Sequence, residues 1–302
     1  VGEDCVINNT TCRSLYEVPL MLHAQNMDDV VCRDLGLEKG ADYPALADWS
    51  HMVETIHARK GELQIALVGK YVKLHDSYLS IVESLNHASF VVGKNVKIKW
   101  VDSDSVTDQT APEIFKDCQG IILPGGFGHR GIEGMISSCR YARTHKLPYF
   151  GICLGMQIAV IEFARSVLGY SDANSREFDE LCEHPVIDLM KNQEGVIKGG
   201  TMRLGSYPCK VKAGTVLEKA YQAELINERH RHRYEFNNDY KTQMEDAGLT
   251  ICGTSPDSSL VEAVEVEGQC HIGVQFHPEF KSRPNNAGPL FVAFLKAANE
   301  HY

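Results

Sequence analysis

Residues 148–169 read PYFGICLGMQIAVIEFARSVLG, a short apolar run and a longer apolar-faced stretch with Cys153 between them. The first run has the length of a buried strand, and the second has the length and periodicity of a helix. Gly151 and Gly155 allow the tight strand-to-helix turn that lifts a nucleophile clear of a sheet. A helix N-terminus beside the sulfur favours the reactive thiolate. On its own, such a turn is equally compatible with a buried structural cysteine.

The same alternation of apolar strand and helical stretch extends upstream. Strands are predicted at 63–69, 96–102 and 120–123, each followed by a helical pattern. Continuous apolar strands separated by helices indicate an α/β fold, with an open, largely parallel sheet covered by helices on both faces. After Gly169 we expect a polar loop, short strands within 199–211, a last strand within 268–280 and a final helix at 289–301.

The first part of the chain carries little strand signal. Residues 1–36 read as turns and short helices, an irregular segment too small to form a complete domain. The helical spacing of Trp49, Met52 and Ile56 predicts an amphipathic helix that ends by Gly61. We therefore expect two parts, residues 1–57 as a remnant of another domain with a linker helix, and residues 58–302 as the α/β domain.

Composition narrows the functional classes. The net charge of −10 disfavours a general nucleic-acid surface, because phosphate contacts need clustered basic residues. The longest apolar runs are far too short to span a bilayer, so no membrane partner is expected. The ten cysteines form no CxxC pair, which argues against a disulfide framework and a zinc ribbon. These features predict a protein of the reducing cytoplasm with no metal site.

A thiol nucleophile needs a base, and residues 275–279, QFHPE, offer one after the last predicted strand. If this segment is extended, residues two apart point to the same side. Glu279 is then placed to hold one ring nitrogen of His277 and to direct the other toward Cys153. A histidine beside a carboxylate is also common in ordinary surface or core contacts.

The third motif is LPGGFG at 123–128, directly after the predicted strand 120–123. Ligands bind open α/β sheets at the carboxyl ends of the strands, and exposed backbone N–H groups in a glycine-rich turn can hold an oxyanion there. A phosphate-binding loop and a plain turn are the alternatives. The segment lacks the lysine and serine of a nucleotide-binding P-loop.

Together and in this order, LPGGFG, GICLGMQ (151–157) and QFHPE resemble the three signatures of class I (triad-type) glutamine amidotransferases. Within that family, residues 69–85, 173–178 and 228–235 resemble the C-terminal glutaminase domain of CTP synthases. Residues 1–57 resemble the end of the synthase domain. The resemblance implies a flavodoxin-like three-layer fold and a glutaminase.

The resemblance also implies roles for individual residues. It implies Cys153 as nucleophile, His277 as base and then acid, and Glu279 as the residue that orients His277. The oxyanion is implied to lie on the amides of Gly125 and Leu154. The implied glutamine-binding set is Gly126, Leu154, Gln157, Glu177 and Arg233. Thr201 and Arg203 match a region that helps GTP activate hydrolysis.

For the whole enzyme, the resemblance implies that ammonia from L-glutamine passes to the synthase domain of the same polypeptide and aminates UTP to CTP. ATP, Mg and the activator GTP are implied for that enzyme, which is expected to be a homo-oligomer, with no cofactor in this domain. A glutaminase for another acceptor, as in GMP synthase, and a non-catalytic regulatory domain of the same fold are the alternatives.

Overall fold

The computed structural model describes residues 2–37, 44–189 and 202–301, and the chain divides into two compact units, Val1–Lys60 and Gly61–Tyr302. In its described residues, the first unit contains three α-helices, α1 (Val18–Ala24), α2 (Met27–Leu35) and α3 (Pro44–Ala58). Gly36 ends α2 with a left-handed φ of 65°. The helix predicted from Trp49 and Ile56 is confirmed as α3. The assignment of residues 1–57 to a synthase remnant stays a prediction.

The second unit contains the remaining helices and all twelve strands of the described residues. Its helices are α4 (Leu79–Val92), α5 (Ala111–Phe115), α6 (Ile132–His145), α7 (Leu154–Phe163), α8 (Val216–Tyr221), α9 (Lys241–Asp246) and α10 (Pro289–Glu300). Its strands are β1 (Glu62–Gly69), β2 (Asn95–Asp102), β3 (Gly120–Leu123), β4 (Tyr149–Ile152), β5 (Asn174–Ser175), β6 (Pro185–Leu189), β7 (Arg203–Val211), β8 (Leu225–His232), β9 (Tyr234–Phe236), β10 (Leu249–Thr254), β11 (Val261–Val266) and β12 (His271–Val274).

Nine strands form one sheet in the order β2-β1-β3-β4-β12-β11-β10-β7-β8. The five strands from β2 to β12 run parallel to one another. The pairs from β12 to β8 are antiparallel, and β5, β6 and β9 form a small second sheet. The parallel half corresponds to the strand–helix alternation of the sequence, and the antiparallel half follows where that alternation stops.

Helices cover both faces of the large sheet. In β1, Ile65 and Leu67 belong to the apolar cluster that includes α4 and α10, whereas Ala66 and Val68 belong to the cluster that includes α6 and α7. This alternation follows from the two-residue period of a strand that is buried on both faces. The predicted three-layer α/β fold is therefore confirmed.

Two details differ from the prediction. The short strands expected within 199–211 are, in the described residues, one nine-residue strand, β7. The last strand ends at Val274, and Pro278–Phe280 form a 3₁₀ turn. Within the described ranges, no helix combines the length and the hydropathy that crossing a membrane requires.

Candidate active site

Three neighbouring parallel strands deliver the three sequence motifs to one edge of the sheet. Leu123 of β3 pairs with Gly151 of β4, which in turn pairs with Gly273 of β12. Because the carboxyl ends of these strands lie side by side, the segments that follow them meet. The glycine-rich loop, Cys153 and His277 therefore converge, as the sequence predicted.

The turn at Cys153 is strained. This residue has φ 53° and ψ −100°, and it immediately precedes α7. A Cβ atom on Gly151 would lie 2.5 Å from the carbonyl carbon of Gly155, so only glycine fits there. The Tyr149 hydroxyl donates a hydrogen bond of 2.7 Å to the Gly155 carbonyl and supports the turn from below. Backbone strain held by tight packing is typical of a positioned nucleophile.

His277 lies between the sulfur and a carboxylate. Its Nδ1 is 2.7 Å from Oε1 of Glu279, and both side chains are buried. Burial alone would lower the pKa of His277, but contacts with Cys153 and Glu279 raise it to about 10 by favouring the imidazolium. The extended geometry expected for this segment is wrong. The contact forms because Pro278 begins a 3₁₀ turn that brings Glu279 back to the ring.

The LPGGFG loop packs directly against these side chains. A Cβ on Gly125 would lie 3.0 Å from Cε1 of His277 and 3.6 Å from Cβ of Cys153. The buried Lys70 amine donates to the carbonyls of Phe127 and Gly128. Leu154, the first residue of α7, has a backbone N–H that the helix itself does not use. Gly125 and Leu154 thus both lie beside Cys153, and their role as oxyanion donors stays a prediction.

A cavity of about 450 Å³ opens beside Cys153. Its lining includes every residue of the predicted glutamine-binding set, which is Gly126, Leu154, Gln157, Glu177 and Arg233. Nη2 of Arg233 is buried and has no hydrogen-bond partner among the described residues. Glu177 accepts a hydrogen bond of 3.2 Å from the Gly128 amide. The cavity therefore offers the guanidinium groups of Arg231 and Arg233 and the carboxylate of Glu177, the charges that an amino acid's α-carboxylate and α-ammonium need.

Sequence reasoning missed the role of Gln275. Its side-chain Nε2 lies 3.5 Å from Sγ of Cys153, and its Oε1 accepts a bond of 3.2 Å from Gln157. Gln157 also donates to the Tyr234 carbonyl at 3.0 Å. The available signal was the glutamine that opens QFHPE, a polar residue next to a buried strand.

The two residues assigned to GTP activation have different outcomes. Thr201 lies outside the described residues. Arg203 begins β7, is buried, and pairs with Glu262 at 2.5 Å. It does not line the cavity beside Cys153. A role for either residue toward GTP stays a prediction.

One group of side chains in the described ranges has the spacing of a metal site. Ligand atoms of Asp172, Glu183 and His184 lie within 4.8 Å of one another. Asp172 already accepts hydrogen bonds from the backbone N–H groups of Glu183 and His184 and contacts the His184 ring at 2.6 Å. These bonds account for the cluster as a loop support.

Comparison with known proteins agrees with this geometry. The family described as glutamine amidotransferase class-I matches residues 73–297. The chain belongs to this family. A solved structure titled "Trypanosoma brucei CTPS - glutaminase domain with bound acivicin" is 37% identical, with a TM-score of 0.74, and the match covers 79% of this chain and 94% of that one.

The curated relatives agree on the branch of the family. A CTP synthase of Clostridium beijerinckii is 53% identical over 98% of this chain and 55% of its own length. One of Staphylococcus carnosus is 50% identical over 100% of this chain and 56% of its own length. The chain spans about half the length of these relatives. Within the amidotransferases, it is a domain of the CTP synthase glutaminase type.

A solved structure named as a putative GMP synthase subunit of Thermoplasma acidophilum shares the fold at 18% identity and a TM-score of 0.51. That likeness carries no functional argument. The similarity in fold therefore does not support the alternative that this chain is the glutaminase of a GMP synthase.

Proposed function

We propose that this site hydrolyses L-glutamine to glutamate and ammonia through a thioester on Cys153. The observation that carries the proposal is the convergence of Cys153, His277 and Glu279 beside a cavity with an unpartnered guanidinium nitrogen. The raised pKa of His277 favours an imidazolium next to the sulfur, which is the resting state of an activated thiol.

In the first half of the reaction, the Cys153 thiolate attacks the amide carbon of glutamine. The amides of Gly125 and Leu154 hold the oxyanion that forms, and Gln275 helps to position the sulfur. The C–N bond breaks as the His277 imidazolium gives its proton to the departing nitrogen, which leaves as ammonia.

In the second half, neutral His277 takes a proton from water, and the hydroxide attacks the thioester carbon. The C–S bond breaks, the thiolate returns, and glutamate leaves. Glu279 holds the ring through Nδ1 in both halves. For the substrate, Arg233 binds the α-carboxylate, Glu177 binds the α-ammonium, and Gly126, Leu154 and Gln157 shape the remaining wall.

The test is glutamate release from glutamine by the chain and by Cys153→Ala. A glutamine-like diazo ketone should label the chain at Cys153, with loss of activity, and leave the variant unlabelled. Cys270→Ala is the matched control, because burial raises the pKa of the Cys270 thiol to about 12 and keeps it unreactive. Labelling at another cysteine, or glutamate release by Cys153→Ala, contradicts the assignment.

For the whole enzyme, we propose that the ammonia reaches a synthase domain of the same polypeptide in the cytoplasm and aminates UTP, with ATP, Mg and GTP activation, in a homo-oligomer. The similarity to CTP synthases supports this proposal. In the full-length protein, Cys153→Ala should abolish CTP formation from glutamine and preserve formation from added ammonia. Loss of both activities contradicts the assignment of glutamine hydrolysis to this domain and of UTP amination to the synthase domain.

A further inference from the structure

Strand β8 carries polar residues on its buried face. Its burial alternates strictly, so that Glu228, His230 and His232 point inward while Arg229 and Arg231 are exposed. The side chain of His230 is fully buried. A strand of alternating arginine and histidine would be expected to lie on a solvated surface, so inward histidines need hydrogen-bond partners.

These partners form a continuous chain of contacts. Nδ1 of His232 lies 3.0 Å from the Tyr234 carbonyl oxygen, and its Nε2 lies 3.0 Å from Nδ1 of His230. Nε2 of His230 faces Oε2 of Glu262 at 3.4 Å. The other oxygen of Glu262 lies 2.5 Å from Nη1 of Arg203, and Glu262 is fully buried.

The positions of the protons along this series of side-chain contacts follow from the Tyr234 carbonyl, which lies at one end of the series. The Tyr234 carbonyl can only accept, so Nδ1 of His232 must carry a proton. Burial, followed by the charge of Arg203, lowers the pKa of His232 to about 3, so the ring is neutral and its Nε2 accepts. His230 must then donate from Nδ1. Nε2 of His230 is then unprotonated, and its lone pair faces the carboxylate of Glu262 unless one more proton lies between the two atoms.

Burial favours that additional proton on the carboxyl group. Burial raises the pKa of Glu262 to about 6, although Arg203 opposes the shift. Burial, followed by the positive charge of Arg203, lowers the pKa of His230 to about 2. Asp257, the remaining charged group acting on Glu262, also raises its pKa, and Cys209 is a further titratable group nearby. A protonated Glu262 donates to His230 and accepts from Arg203.

The same series of contacts continues from His232 to Cys153. The Tyr234 carbonyl that His232 contacts also accepts from Gln157 at 3.0 Å, and Gln157 donates to Gln275 at 3.2 Å. The Gln275 amide lies 3.5 Å from the sulfur of Cys153. The Gln275 backbone N–H in turn donates to the carbonyl of Glu262 at 2.8 Å. These contacts close a circuit that begins and ends at Glu262. Nε2 of His230 and both carboxylate oxygens of Glu262 are buried and have no hydrogen-bond partner among the described residues, so their link is an ion-pair contact that one added proton would turn into a hydrogen bond.

We propose that Glu262 is a positioning residue of the glutamine cavity, which shares one proton with His230 and fixes Gln157 through His232 and the Tyr234 carbonyl. This inference rests on the proposed glutaminase function. Glu262 does not contact the substrate. It acts by setting which nitrogen of each histidine donates.

The proposal has a definite dependence on pH. A carboxyl group whose pKa is raised in the folded state keeps its proton at low pH and loses it as pH rises. Loss of the shared proton favours a His230 tautomer that donates from Nε2 to the carboxylate. His232 then donates from Nε2 to His230, and the Tyr234 carbonyl loses its donor. The binding of glutamine weakens as a result.

The direct test is nitrogen NMR of the histidine side chains in the full chain, which needs no activity. At about pH 5 we expect His232 protonated at Nδ1 and unprotonated at Nε2, and His230 protonated at Nδ1. These signals should change together as pH is raised to about 9, and they should not change in Glu262→Gln, whose amide N–H replaces the shared proton. A proton on Nε2 of His232 at low pH, or the same transition in Glu262→Gln, overturns the proposal.

Kinetics supply the second measurement. At about pH 5, where Glu262 of the wild type keeps its proton, Glu262→Gln should keep KM for glutamine within about twofold of the wild type, whereas Glu262→Leu should raise KM about tenfold with little change in kcat, since a buried hydrogen-bond partner is lost. Thermal unfolding identifies any variant that fails to fold. A tenfold increase in Glu262→Gln shows that the charge matters and not the proton, which contradicts the proposal. Expected tautomers without glutamate release by the wild type contradict the glutaminase function instead.

Discussion

Gly151 lies directly beneath Gly155, so close that a Cβ on Gly151 would come within 2.5 Å of the Gly155 carbonyl carbon. A Cβ on Gly155 would in turn overlap the carbonyl oxygen of Leu123 on β3. Helix α7 therefore begins in contact with two strands, and this contact holds Cys153 at the sheet edge. The two glycines are required by space and not by their own backbone angles, which lie outside the left-handed region.

Gly155→Ala should destabilise the fold by about 3 kcal/mol and abolish glutamate release, because backbone atoms must move and Cys153 moves with α7. Chemical denaturation and the glutaminase assay measure the two effects. Gly93→Ala is the control. Gly93 has φ 74° with open space around it, so alanine costs only about 1–2 kcal/mol of backbone strain and leaves activity intact. Equal loss of activity in both variants argues against a local effect at the nucleophile.

Glu279→Gln should move the alkaline limb of the kcat/KM profile to lower pH. The Glu279 carboxylate is one of the groups that raise the pKa of His277, so removing its charge lowers that pKa, and the imidazolium that protonates the departing amide nitrogen is lost at a lower pH. The raised pKa also contributes stability that is fully present below about pH 6.5, the ordinary histidine value, and is lost as pH rises through about 10. The free energy of unfolding should therefore depend less on pH across that range in Glu279→Gln than in the wild type. An unchanged alkaline limb refutes the role of Glu279.

Arg233→Met should reduce the preference for L-glutamine over 4-aminobutanamide, which keeps the side-chain amide and lacks the α-carboxylate. A hydrogen bond between charged groups contributes about 1.5–3 kcal/mol, so kcat/KM for glutamine should fall about tenfold to a hundredfold. The value for the truncated amide should change little. An equal decrease in kcat/KM for both substrates means that Arg233 supports the cavity wall and does not bind the α-carboxylate.

Lys70→Met should lower kcat/KM at least about tenfold, because the carbonyls of Phe127 and Gly128 lose their donor and the LPGGFG loop moves away from Cys153. Burial lowers the pKa of the Lys70 amine to about 8, but the neutral amine still donates. The effect should therefore persist on both sides of that pH. Lys73→Met, at an exposed position of the same segment, is the matched control and should retain activity.

The parallel half of the fold and the three site motifs were predictable because each depends on local sequence. An apolar run such as 120–123 is enough to predict a strand, and the motif in the turn directly after it can be recognised from the same short stretch of sequence. The meeting of Cys153 and His277 also follows, since parallel strands present their carboxyl ends at one edge. The roles assigned to individual side chains stay predictions.

Contacts between distant elements were not predictable in the same way. The antiparallel half depends on pairing of β7 with β8 and β10, which short-range periodicity does not specify. The inward orientation of the histidines of β8 was not predictable, because their partners Glu262 and Arg203 lie on other strands. The contact of Gln275 with Cys153 likewise joins residues separated by 122 positions.

That separation has a consequence during synthesis. The nucleophile is made before the base, and at about 5–20 residues per second a ribosome needs about 6–24 s to add the intervening chain. Until β12 has paired with β4, the thiol has neither its imidazole partner nor the amide of Gln275 beside it. Under the proposed mechanism, an unfinished chain consumes no glutamine, and hydrolysis begins only once the centre of the sheet is complete.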